Sequence, residues 1–151
     1  MAAYVKINDF VEHLAEGVHN LSTGALTVAL SNTAPGSETS PPAADGNGVL
    51  ANVTQIAYTN LSTRVITLST SSQTGGTYDL VLNDLTLTAS GGPVAAFQYV
   101  YVYNDTPTTP YVDPLICYFD YGSALVLADG ESLTIDFESD GPTTGSLLTL
   151  A

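Results

Sequence analysis

Residues 97–105, FQYVYVYND, set Phe97, Tyr99, Tyr101 and Tyr103 on one face of an extended chain and Val100 and Val102 on the other. A strand that is apolar on both faces must be covered on both. It is either central and sandwiched within the fold, or has one face against another chain. The four aromatic residues leave three uses open: intrachain core, a subunit interface, or a platform on which sugars stack. Stacking on nucleic-acid bases is disfavoured, because such platforms come with a cationic groove and this chain carries 15 Asp and Glu against 2 Lys and Arg.

Outward from this stretch the same two-residue period recurs. In ALTVALSN (25–32), Leu26, Val28 and Leu30 alternate with Ala25, Thr27, Ala29 and Ser31, the pattern of a half-buried strand. Further strands are expected at 49–58, 62–71, 77–87, 94–104, 112–121, 123–127, 131–138 and 146–150, separated by turn-forming stretches such as TGG, SGGP, ADG and SDGPTTG. The clearest hairpin is SALVLADGESLTIDF (123–137), with Leu125 and Leu127 before an Asp129-Gly130 turn and Leu133, Ile135 and Phe137 after it. With no internal repeat and no second helical period, 151 residues read as one domain, 1–151, a sandwich or barrel of antiparallel strands.

The one helix is expected near the N-terminus, within a helical segment at 1–20. Asn8 suits the N-cap, Asp9 and Glu12 suit the positive helix start, and Phe10, Val11, Leu14, Ala15 and Val18 fall on one apolar arc. The segment holds both histidines, His13 and His19. Six residues of helix would leave them roughly 120° apart, and Gly17 sits between them where the helix, expected over Asp9 to about Gly17, weakens or ends, so no metal site is expected; they read as solvated or partner-facing. Residues 33–48, TAPGSETSPPAADGNG, read as a long mobile surface loop. Its DGNG lacks the ligand and glycine that a calcium loop needs at Val49 and Leu50, so it reads as a turn.

A formal charge of −13 repels phosphate backbones, so neither direct nucleic-acid nor anionic-membrane binding is expected. No secretory leader and no apolar run of membrane-spanning length is visible, which points to synthesis in a cytosol and no membrane insertion. Cys117, alone in LICYFDY, reads as a small buried hydrophobe. Carboxylates at Asp105, Asp113, Asp120, Asp129, Asp136, Glu138 and Asp140 have no spacing that picks out an acid and a base. There is no GxSxG elbow, phosphate loop or HExxH, and so no enzyme, catalytic residue or cofactor is expected. Arg64 alternates with Ile66 and Leu68, suggesting either an ion pair, within the fold or across an interface, or an edge arginine in water.

Taken together, INDFVEHLAEGVHNLSTGALTVALSNTAP (7–35), TGGTYDLVL (74–82), YVYNDT (101–106) and DYGSALVLADGESLTIDF (120–137) resemble a family of small structural proteins of tailed bacteriophages. The resemblance implies a virion component of the capsid decoration or cement class. It also implies a jelly-roll-like antiparallel β-sandwich, arranged as a homodimer or homotrimer on the outer capsid surface and bound to the major capsid protein. This chain departs from the family in its 33–48 loop and its near absence of basic residues. Interface candidates are Phe10, Val11, Leu14 and Val18 of the helical segment, Phe97, Tyr99, Tyr101 and Tyr103 of the aromatic strand, and Arg64. Two rival readings are a tail or head-tail junction component, and a carbohydrate-binding module using Tyr103, Asp105, Tyr111 and Asp113.

Overall fold

The computed structural model describes residues 2–137 and 146–150. The fold is all-β with one short helix, and every strand pairing is antiparallel. Its centre is the aromatic stretch, which forms β6 (Phe97–Asn104) after β1 (Ala3–Lys6), α1 (Asp9–Ala15), β2 (Leu26–Ser31), β3 (Leu68–Thr74), β4 (Thr77–Leu82) and β5 (Leu85–Thr88). β7 (Leu115–Leu125), β8 (Ser132–Ile135) and β9 (Ser146–Leu150) follow. The strands make a four-stranded sheet in the order β1-β7-β6-β2, a three-stranded sheet β3-β4-β9 and a pair β5-β8. All three feed one apolar cluster that includes Val100, Phe97, Leu80, Leu87 and Ile135.

Within the largest sheet the register sorts the two faces of β6. Val28, Val102 and Cys117 align, as do Leu30, Val100 and Phe119, and the Phe119 ring reaches Phe137 at 6.2 Å between centroids. On the opposite face Ala29, Tyr101 and Tyr118 align, and the Tyr101 and Tyr118 rings lie 5.3 Å apart. Cys117 is fully buried, as the sequence suggested, and burial pushes its thiol pKa far above the ordinary range.

Several expectations need correction. The Asp129-Gly130 turn forms, with Gly130 at φ +83° and the N–H of Glu131 donating to the Ala128 carbonyl at 2.9 Å, but it does not close a hairpin. β8 pairs with β5 (Leu85 opposite Ile135, Leu87 opposite Leu133), while the preceding chain belongs to β7 and pairs with β6. Period-two alternation says that each segment is a strand but not which strand lies beside it. The expected strands at 112–121 and 123–127 merge into β7, and the expected 77–87 divides into β4 and β5. Residues 49–58 form a short 3-10 turn (Leu50–Asn52) and irregular chain rather than a strand. β2 is buried along its whole length, not on one face only. Ser31 and Thr27 are buried because the 53–67 segment runs along its outer edge, the Ser31 hydroxyl donating to the Thr54 carbonyl at 2.6 Å. Glu138, Asp140 and the whole 139–145 turn stretch lie outside the described residues.

The N-terminal segment begins as a strand, which the helical reading of 1–20 missed. β1 pairs with β7 (Tyr4 opposite Phe119) and the Ile7 N–H continues the ladder to the Ile116 carbonyl at 3.0 Å. α1 ends at Ala15, and Asn8 holds its N-cap position as expected, but with an already helical backbone and no side-chain capping bond. Gly17, at φ +74°, then reverses the chain, a conformation that glycine adopts without steric cost.

Candidate functional site

The residues singled out from the sequence fall into two places, the N-terminal segment and the aromatic face of the four-stranded sheet. In the first, Phe10 is 1% exposed and belongs to the core, Leu14 and Val18 are half-buried, and Val11 is 51% exposed. Val11 is the only one of the nine interface candidates whose side chain lies mostly in solvent. β1, which precedes the helix in the chain, is the edge strand of its sheet, and among the described residues no strand pairs with its outer side. Ile7 pairs across to Ile116, so alternation along an antiparallel ladder turns the backbone groups of Tyr4 and Lys6 outward.

The aromatic face is covered by the chain itself, which corrects the idea that it stands free for a partner or a sugar. Phe97, Tyr101 and Tyr103 are buried and Tyr99 is 9% exposed. Glu38 of the 33–48 loop lies close enough to Tyr101 to raise the pKa of its hydroxyl, after burial as the main cause. At the other end Arg64 stacks over the Tyr58 ring, 3.8 Å from its centroid, donates to the Val28 carbonyl and sits beside Tyr103. Arg64 is thus held against the sheet rather than standing as an edge cation in water, and among the described residues its partners are Tyr58, Val28 and Tyr103. Tyr58 completes this strap: its hydroxyl accepts from the Leu30 N–H at 3.0 Å and donates to Gln55 Oε1 at 2.7 Å. These bonds satisfy outward groups of β2 that would otherwise template another strand.

Of the four residues proposed for sugar binding, Tyr103 is buried and Tyr111 is stacked on His13, ring centroids 4.0 Å apart. Asp105 and Asp113 are neighbours; burial first and Asp105 second raise the Asp113 carboxyl above the usual carboxylate range. An open cleft of about 200 Å³ runs between the Gly17 turn and the 104–110 loop, walled by Glu16, Asn20, Thr106 and Pro110 among others. Asn104 forms its floor but has no exposed surface, so a ligand in the cleft would not reach its amide. Among the described residues no three metal-ligating side chains converge, and no helix is long and apolar enough to cross a membrane.

The sequence reading misplaced the histidines. His13 and His19 are both buried, with ring centroids 6.0 Å apart, and His19 also packs against Phe10 at 5.1 Å. The 120° separation presumed a helix running through residue 19, whereas the Gly17 reversal folds His19 back onto the helix. Gly17, lying between the two histidines, was the available signal.

Comparison with protein-family models, with curated proteins and with solved structures finds no match for this chain.

Proposed function

We propose that the chain is a decoration, or cement, protein of a tailed-bacteriophage capsid, bound to the outside of the shell and bridging subunits of the major capsid protein. It would be made in the host bacterial cytoplasm and act as a homodimer or homotrimer on the virion, with no catalytic step and no cofactor. The jelly-roll-like closure of its sheets belongs to the same proposal. The motif resemblance suggests the class, and the observation that carries the mechanism is the outer edge of β1, unpaired among the described residues, with the exposed Val11 on the helix that follows it in the chain.

An edge strand offers main-chain hydrogen bonds to an extended segment of a partner, and a neighbouring apolar side chain adds specificity. Lys6, one of only two Lys or Arg residues in the chain, lies on this strand, while the remaining surface is strongly acidic. Each contact of this size is modest, but copies repeated over a symmetric shell act together through effective concentration.

Removal of residues 1–20 is a poor test of this mechanism, because it strips Ile7 and Phe10 from the core. Lys6→Pro deletes an outward N–H, and Val11→Asp charges the exposed apolar position. Co-sedimentation with undecorated shells should fall at least tenfold in affinity for each variant, with the far-ultraviolet dichroism unchanged. Full binding by both folded variants would contradict the proposed contact.

A further inference from the structure

We propose that His13 and His19 form an acid-sensitive latch: while His19 is neutral the pair holds the end of the N-terminal segment against the 105–114 loop, and protonation of His19 releases this junction with the sheets still folded. The inference is independent of the shell-binding reading. The two rings sit where three pieces of chain meet. His13 comes from α1, His19 from the strand of chain after the Gly17 reversal, and Tyr111 of the loop covers His13 at 4.0 Å. Three of the four imidazole nitrogens, His13 Nδ1 and both of His19, are buried without a hydrogen-bond partner among the described residues. Buried polar atoms left in this state make the charged form costly.

The surrounding charges do not relieve that cost. On α1, Asp9 is engaged by the N–H groups of Gly46 and Gly48, and Glu12 and Glu16 are exposed, as is Asp45 on the loop that meets Asp9. On the 105–114 loop, Asp105 and Asp113 interact with each other and Tyr111 stacks on His13. Burial, then the neighbouring His13, pushes the pKa of His19 down to about 4 from 6.5. A depressed histidine pKa means that the closed state is favoured above pH 6.5 and loses that advantage as pH falls toward 4. One proton linked to opening raises the open population about tenfold per pH unit across this window, roughly 300-fold in all.

The test follows the imidazole resonances of the full chain by NMR from pH 7.5 to 4, together with amide hydrogen exchange, in the wild type and in His19→Phe. The expected result is a His19 midpoint well below 6.5, with exchange rising in residues 9–19 and 105–114 while β6 and β7 stay protected. His19→Phe should stay closed over the same range. The latch is overturned if His19 titrates at its ordinary value with no change at the junction, if the sheets open at the same pH, or if His19→Phe opens as the wild type does. Should that variant fail to fold, the wild-type titration and its exchange pattern decide the matter alone.

Discussion

The carboxylate of Asp9 grips the backbone of Gly48: Oδ2 accepts the Gly48 N–H at 2.7 Å while Oδ1 accepts that of Gly46 at 2.8 Å. The first residue of α1 thereby anchors the end of the 33–48 loop, and Gly48 must be glycine because a Cβ there would meet Asp9 Cβ at 2.8 Å and Ile7 Cγ2 at 3.0 Å. Charge-assisted bonds to buried donors are worth more than ordinary ones, so Asp9→Ala should cost about 2–4 kcal/mol. Urea denaturation measures the loss, and limited proteolysis should show faster cleavage within 33–48.

The Arg64–Tyr58 strap makes a second prediction. Tyr58→Phe leaves the Leu30 N–H without its acceptor and should cost about 1–3 kcal/mol. Arg64→Lys removes the planar stack but not the charge and should cost about 1 kcal/mol. Hydrogen exchange at Val28 and Leu30 should rise in both variants, since both amides donate into this segment.

Glu38 supplies a pH-dependent prediction. Its carboxylate oxygens are buried near the N–H groups of Glu38 and Thr54 without a well-formed hydrogen bond, and burial raises its pKa above the usual carboxylate value. A raised acid pKa favours the neutral folded form, so this contribution is present at low pH and lost as pH rises through the folded-state value. Glu38→Gln should therefore be more stable than the wild type at pH 7, by about 1 kcal/mol. The advantage should shrink on acidification toward pH 4, and thermal unfolding across that range reads the difference.

Cys117 is predicted to be chemically silent in the native state. Fully buried and held as the thiol, it should not react with a disulfide reagent until the chain is denatured, whereupon one thiol per chain should titrate. Prompt reaction of the native protein would mean that the β1–β7 side of the sheet opens readily.

The sequence spoke clearly where period and sheet position coincide. β6 is apolar on both faces, and it has a neighbouring strand on each edge and burial on both sides. It spoke less clearly about what covers those faces. Glu38, Tyr58 and Arg64 reach the aromatic face from segments that form no regular strand, and the alternation that suggested strands around Tyr58 and Arg64 does not say that these segments strap the sheet. The turn at Asp129-Gly130 was legible as a turn, but the choice of β5 as the partner of β8 is made by the core that Leu85, Leu87 and Ile135 share, far apart in the chain. For the histidines, Gly17 is legible as the place where the helix gives out, but the way the chain turns after it, which carries His19 back onto the helix, is not written in the local pattern.

The central claim is that this chain covers a capsid shell, and copy number tests it most directly. Mass spectrometry of purified particles of the phage proposed to carry the chain, with labelled peptide standards, gives its ratio to the major capsid protein. A fixed small-integer ratio of shell subunits to this chain, sustained across preparations, is the predicted result. A ring-sized complement far below the shell count would place the chain in the tail or its junction, and its absence from the particle would contradict the virion assignment altogether.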